Sequence, residues 1–292
     1  MRDQAHNLRV LTRDRRVPAD EEHRAAGPRV VAVTSGKGGV GKTSLVVNLA
    51  LALAHLGQRV VVFDADLGLA NVEVLLGISP PYTLHDVVFG GKSMEDVLVP
   101  GPCGIKFISG GSGFQELANL DTAQRERLIR GLAYFQHQAD FLLVDTGAGI
   151  SRNVLGFVAA SQEVIVVVTP EPTSLTDAYG LIKVLAKFKV HSHAYLVVNR
   201  ALDDREAVQT AHKMEMVAGR FLQFQVHHLG SLLEDGVVGQ AVKVQQPFVL
   251  LQPHGAAARR VVEMARYLKE GYRAPAARGI NGFIGRLVRL LG

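Results

Sequence analysis

The sequence predicts an α/β protein with a doubly wound, mostly parallel sheet, and three observations lead there. Five short runs rich in β-branched residues recur along the chain: "RVVAVTS" from Arg29, "QRVVVFDAD" from Gln58, "DFLLVDT" from Asp140, "EVIVVVTP" from Glu163 and "AYLVVNR" from Ala194. Runs this continuous have no polar face, so they suit strands covered on both sides, as in a buried parallel sheet. Helical stretches alternate with them, over about 42–56, 121–138, 174–188 and 203–221. Strand followed by helix, repeated, is the pattern of an open α/β sheet. The third observation is the junction "TSGKGGVGKTS", Thr34 to Ser44, a glycine-rich turn between the first strand and the first helix.

Taken in order, residues 1–28 are polar, rich in Arg and acids, and end in "AAGP". They are expected to form a tail outside the core. Residues 29–270 carry the alternating pattern and form the main domain, whose first helix is stopped by Gly57. "GYRAPAARG", 271–279, reads as a linker, and 280–292 is a final short apolar segment. Ligands of such sheets sit beyond the C-terminal strand ends.

Composition narrows the function classes. The chain has 292 residues, enough for a substantial core, and 48% hydrophobic with 20% charged residues is the balance of a globular protein. Cys103 is the only cysteine. That excludes an internal disulfide and any multi-cysteine metal or iron–sulfur site within one chain, and fits a reducing compartment. The first 28 residues hold no apolar run, so no signal peptide is expected. No run reaches the roughly 18 apolar residues of a spanning helix. Residues 259–292 hold eight Lys/Arg against Glu263 and Glu270, a net of +6, while the whole chain is +5. The cationic end suggests an anionic partner surface. His191, His193, His227 and His228 have no acid or cysteine at ligand spacing and are read as ordinary surface or core residues.

The junction carries the chemistry. Gly36-x-x-x-x-Gly41-Lys42-Thr43 fits the phosphate-loop pattern in its required strand-to-helix context. The cradle runs through Gly36, Lys37, Gly38, Gly39, Val40, Gly41, Lys42, Thr43 and Ser44. Its backbone N–H groups and the helix N-terminus favour phosphate. Lys42 is placed to reach the β/γ-phosphates, and the Thr43 hydroxyl to ligate Mg²⁺. Asp64 and Asp145 end apolar strands and are assigned to Mg²⁺ support. Asp66 shares the Asp64 side by strand alternation and is assigned to positioning the attacking water. A guanine site would carry Asn-Lys-x-Asp, but "NRALD" has Leu202 at the final position. ATP is therefore the expected nucleotide, with the Asn199 amide offered to adenine. Lys37 is one lysine more than a phosphate loop needs.

"KGGVGKT", "FDADLGLANVEVLLG", "LLVDTGAGIS" and "LGSLLEDGVVGQAVKVQQPF" resemble, in order, blocks of the MinD/ParA class of P-loop ATPases with a deviant Walker A motif. The resemblance covers about residues 29–270. The tail "RDQAHNLR", "DTGAGIS" and the C-terminal segment are similar to the flagellar-number regulators within that class, the FlhG, FleN and YlxH type. The resemblance implies an ATP-held homodimer in which Lys37 reaches the partner's phosphates, a slow, dimerisation-dependent ATPase, and an adenine border near Glu234. Relatives often carry proline where Leu233 stands. It further implies that Asp3, Gln4, Ala5, Leu8 and Arg9 activate FlhF, a signal-recognition-type GTPase, and it admits flagellar switch proteins as partners.

In "INGFIGRLVRLLG", Ile280, Phe283, Ile284, Leu287 and Leu291 share one helical face, which Val288 and Leu290 broaden. Beside Arg286 and Arg289, and after a loose linker, this reads as a membrane-targeting amphipathic helix for an anionic surface. Docking on the protein's own core stays open as the alternative. One short helix binds weakly, and two on a dimer gain effective concentration. The expected location is cytoplasmic, peripheral at the inner face of the membrane in the ATP state. Nucleic acid is not an expected partner. A division-site MinD, a ParA-type DNA-segregation ATPase and an iron–sulfur carrier are the rival readings.

Overall fold

A computed structural model describes residues 27–66, 71–111, 121–271 and 279–291. In chain order the elements are β1 (Arg29–Ser35), α1 (Lys42–His55), β2 (Val60–Ala65), α2 (Asn71–Leu76), α3 (Leu84–Val88), α4 (Met94–Val97), β3 (Val99–Pro100) and β4 (Lys106–Ser109). They continue with α5 (Thr122–Ala133), β5 (Phe141–Ala148), α6 (Arg152–Ala160), β6 (Glu163–Val168), α7 (Pro172–Lys187), β7 (His193–Ala201) and α8 (Asp204–Leu222). The last are β8 (Gln225–Leu233), α9 (Gly236–Lys243), α10 (Phe248–Leu251), α11 (Ala256–Glu270) and α12 (Gly279–Leu291).

The strands form one sheet in the order β3-β4-β2-β5-β1-β6-β7-β8. Its pairs are parallel except β3 with β4. β1 lies between β5 and β6, so the chain winds outward both ways from it. That reversal leaves a crevice at the C-terminal ends of β1 and its neighbours, where ligands of such sheets bind. The apolar runs explain the arrangement. Val31 and Val33 join the core beneath α1 and α11, while Val30 and Ala32 face the helices α5 to α8 and α12 on the other side. Alternation along a fully buried strand feeds two cores at once.

β3, β4 and β8 extend the sheet beyond the five runs that the sequence makes obvious. β4 is only four residues long. β8, at an edge, alternates buried Val226 and Leu229 with exposed Gln225 and His227.

The C-terminal segment is helical, and here its apolar face does not meet solvent. Ile280, Phe283, Ile284 and Leu287 are 0 to 3% exposed and belong to the core that includes Leu128, Leu132, Phe157 and Ala160 of α5 and α6. The expectation of a membrane-facing stripe is therefore corrected for this state, because α12 packs over β1 and against α5 and α6. An amphipathic pattern does not distinguish a membrane from a groove of the same polarity. The side chains of Val288 and Leu291, the linker 272–278 and the tail with Asp3, Gln4, Ala5, Leu8 and Arg9 lie outside the described residues. Among the described residues, no helix is long and apolar enough to cross a membrane.

Candidate nucleotide site

The phosphate loop leaves β1 at Ser35 and enters α1 at Lys42, and two of its glycines are required by their surroundings. A Cβ on Gly36 would collide with the backbone of Asp177 and Ala178 in the second turn of α7. Gly41, the residue before α1, sits at φ 92°, where other residues are strained, and a Cβ there would meet the Asn199 amide. No side chain caps α1, so its first N–H groups stay available to an anion. Ser35 Oγ donates to the Lys37 carbonyl at 2.7 Å and holds the loop's first half.

Three acids gather beside it. Asp64 and Asp145 are directly paired in the β2–β5 register, so their side chains leave the same face of adjacent strand ends. The Asp66 N–H (3.1 Å) and the Val72 N–H (3.2 Å) each donate to Asp64. Burial nonetheless pushes its carboxyl up to about 7, against those two bonds. Asp145 is wholly buried, and neither of its oxygens has a hydrogen-bond partner. Burial, with Asp64 next to it, pushes its carboxyl up to about 8. The Thr43 hydroxyl and Lys42 pull the other way, the hydroxyl standing close without making an aligned bond. Burial lowers the Lys42 pKa, partly offset by Asp145 and Asp66. A cation is the missing partner of such a cluster. These residues fit Mg²⁺: the Thr43 hydroxyl, Asp145 and Asp64 are the groups that would hold it. Among the described residues no group of three or more His, Cys, Asp or Glu could hold a metal unaided, so phosphate oxygens would complete the coordination.

Asp66 stands just past β2, against the Gly147 backbone, and accepts a hydrogen bond from Asn71 Nδ2 at 3.1 Å. Asn71 is the polar residue that the sequence reading missed. The signal was an Asn five positions after Asp66, at the start of a helix.

Two expected residues have other occupations. Asn199 Nδ2 donates to the Val40 carbonyl at 2.7 Å, and its Oδ1 accepts from the Arg200 N–H at 3.0 Å. The amide expected at adenine instead ties β7 to the phosphate loop, which is a correction to that expectation. Lys37 lies along the surface, with Nζ 3.0 Å from Glu171 Oε2 and 3.2 Å from Thr173 Oγ1 at the start of α7. It points away from its own loop. Glu234 is exposed beyond β8, its N–H donating to the Ala201 carbonyl at 2.8 Å. Asp235 caps α9 through the Val237 N–H at 2.9 Å. Gly38 and Gly39 complete the loop, Ser44 lies in the first turn of α1, and Val40 is buried beneath the loop.

A parallel sheet with this loop at its central strand, and acids at the two adjacent strand ends, defines a P-loop nucleotide hydrolase. The ParA model described as an NUBPL iron-transfer P-loop NTPase matches residues 28–269. The chain belongs to the ParA/MinD family of P-loop NTPases, whose members are ATPases. It is 42% identical to the antiactivator FleN of Pseudomonas aeruginosa over 89% of this chain and 94% of that protein. It is 29% identical to the flagellum site-determining protein YlxH of Helicobacter pylori, over 90% of this chain and 91% of that one. The septum site-determining protein MinD of Pyrococcus horikoshii, solved with Mg-ADP, superposes with a TM-score of 0.69 at 26% identity, over 83% of this chain and 96% of that one. Nucleotide binding follows from this membership. Iron transfer finds no cysteine set here, since Cys103 stands alone in a surface turn.

Proposed function

We propose that this protein is an ATP-dependent dimerising switch that sets flagellar number or placement. Bound to ATP and Mg²⁺ it forms a homodimer, which associates with the inner face of the membrane. The observation that carries the reading is the pair of lysines on one loop. Lys42 is buried among the acids, and Lys37 is exposed and turned outward. The likeness to FleN and YlxH along most of the chain supports the flagellar role.

In this reading the loop N–H groups and Lys42 bind the phosphates. Thr43, Asp64 and Asp145 would hold Mg²⁺, which would neutralise charge on the phosphate oxygens. Asp66, steadied by Asn71, orients the attacking water. Lys37 leaves Glu171 and Thr173 and meets the γ-phosphate of a second copy, so charge stabilisation in the transition state depends on dimerisation. The exchange costs little, because Lys37–Glu171 is a surface pair, 42% and 57% exposed. Glu234 borders the adenine, and Asn199 steadies the loop.

Membrane association requires α12 to leave its groove and turn Ile280, Phe283, Ile284, Leu287, Val288 and Leu291 to lipid. The tail residues Asp3, Gln4, Ala5, Leu8 and Arg9 stimulate a signal-recognition-type GTPase of the FlhF kind, with Gln4 orienting its water. The protein is cytoplasmic between cycles. Vesicle sedimentation of the parent chain with ATP or ADP tests the switch. Binding in ATP alone supports it, and equal binding in both nucleotides contradicts it.

A further inference from the structure

We infer that the end of the sheet opposite the phosphate loop is a second lipid-contacting surface, in which Phe188 and Phe221 enter the headgroup layer of an anionic bilayer between Lys187, Lys189, Lys213 and Arg220. It rests on the membrane-associating reading above and adds a contact made by the folded domain.

Topology puts these residues together. β6, β7 and β8 are parallel neighbours, so α7 and α8, which connect them, both end at the N-terminal edge of the sheet. Phe188 follows α7 directly, five residues before β7, and Phe221 lies in the last turn of α8, four residues before β8. The first residues of those strands, His193 and Gln225, are paired. The two rings are 67% and 64% exposed, among the most exposed large apolar side chains described. Exposed aromatics are ordinary singly, and two at one rim within a cationic field call for a partner.

Each ring carries its own cation. The Lys187 ammonium lies 5.8 Å from the Phe188 ring centre, and the Arg220 guanidinium 5.5 Å from that of Phe221. Lys213, Met216 and Arg220 fall at i, i+3 and i+7 on one exposed face of α8, with Met216 54% exposed. Opposing charge is scarce. From Ala178 to Leu202 the chain carries four Lys/Arg and no acid, and from Ala207 to Leu233 its one acid is Glu215. Two further acids at this end are spent on arginines: Glu163 on Arg29 at 2.7 Å, and Asp140 on Arg59 at 2.7 Å. Glu270, at the end of α11, belongs to the opposite face of the sheet.

The surface is also well placed. Arg29 donates to the Leu268 carbonyl at the start of β1, and Lys269 Nζ donates to Leu56 O at 2.9 Å, just past α1. The end of α11, from which the chain departs toward α12, is therefore at the same edge. A chain tethered through α12 presents this edge to the surface that holds it. Aromatic rings with snorkelling cations match a lipid interface, whereas a phosphate backbone needs the cations and leaves the rings unused.

The test is flotation of the full chain, with ATP and Mg²⁺, on vesicles of phosphatidylethanolamine with phosphatidylglycerol. The parent is compared with Phe188→Ser/Phe221→Ser, with Lys187→Glu/Lys189→Glu, and with Phe283→Glu on the terminal helix. Both variants of this edge are expected to lose about fivefold or more in vesicle binding, as one surface charge alone is worth about that factor. Their ATPase activity in solution should be unchanged, which keeps folding apart from binding. If both bind like the parent while Phe283→Glu does not, the second surface is refuted and the terminal-helix reading stands. If the parent binds no vesicle in any nucleotide state, both readings fall. If Lys187→Glu/Lys189→Glu loses duplex DNA but keeps vesicles, the surface serves nucleic acid and the inference is overturned.

Discussion

The nucleotide end of the sheet and the groove beneath α12 are both buried, and in opposite ways. At the nucleotide end polar groups are incomplete: Asp145 has no hydrogen-bond partner, and burial pushes the Asp64 carboxyl up to about 7. In the groove apolar groups are complete, with Ile280, Phe283, Ile284 and Leu287 almost fully covered by the protein itself. An unfinished polar cluster announces a ligand. A finished apolar contact conceals one, because any other partner of α12 must first displace the core it covers.

The difference can be broken most severely at the nucleotide end. Asp66→Ala is expected to lower single-turnover ATP hydrolysis by about 10²–10³-fold, the scale of one lost catalytic group, while ATP binding by fluorescence titration persists. Lys42→Ala should instead lose binding as well.

In the groove, Leu287→Ala removes a buried side chain and should cost about 2–5 kcal/mol if α12 stays docked. A smaller loss by chemical denaturation, with increased binding of an apolar dye, would mean that α12 has left and capped the cost. That result would sharpen the contrast between a fixed site and a releasable helix.

The acids add a pH dependence. Asp145 has a folded-state pKa raised to about 8, so between about 4 and 8 the nucleotide-free folded state holds a proton that the unfolded chain releases. Its stability therefore falls as pH rises through that window and levels off above it. Asp145→Asn removes this dependence. The variant's melting temperature should exceed the parent's at pH 8 by about 2–4 °C for each kcal/mol recovered, and match it near pH 4. A parent and variant that melt with the same pH profile would mean that Asp145 is not held uncharged.

The smallest effects belong to the supporting amides. Asn71→Ala removes one hydrogen bond from Asp66 and should lower kcat about three- to tenfold with little change in KM. Asn199→Ala frees the Val40 carbonyl and should raise KM for ATP by a similar factor.

The contrast also marks what the sequence could reveal. The five apolar strands and the phosphate loop were legible, because continuous burial and strand-to-helix glycines leave local signatures. Lys37 was legible as a surplus lysine. Its contact with Glu171 was not, since 134 residues separate them and neither residue type requires the other. Asn199 was legible as a site residue and misassigned, because an amide at a strand end looks the same whether it meets a base or a backbone carbonyl. The docking of α12 was illegible in principle, its periodicity being the same for lipid as for α5 and α6. β8 hid because an edge strand interrupted by His227 and His228 lacks the continuous apolar run of its neighbours.

The central claim is that Lys37 serves the nucleotide of a second copy, and mixing two inactive variants tests it directly. Lys37→Ala and Asp66→Ala are each expected to hydrolyse ATP poorly alone. In a mixed dimer, the Lys37→Ala chain keeps its own Asp66 and receives Lys37 from its partner. One site per mixed dimer is then complete, and random pairing should restore about a quarter of the parent's activity. A mixture no more active than the two variants measured separately would place Lys37 at its own chain's site and contradict the account.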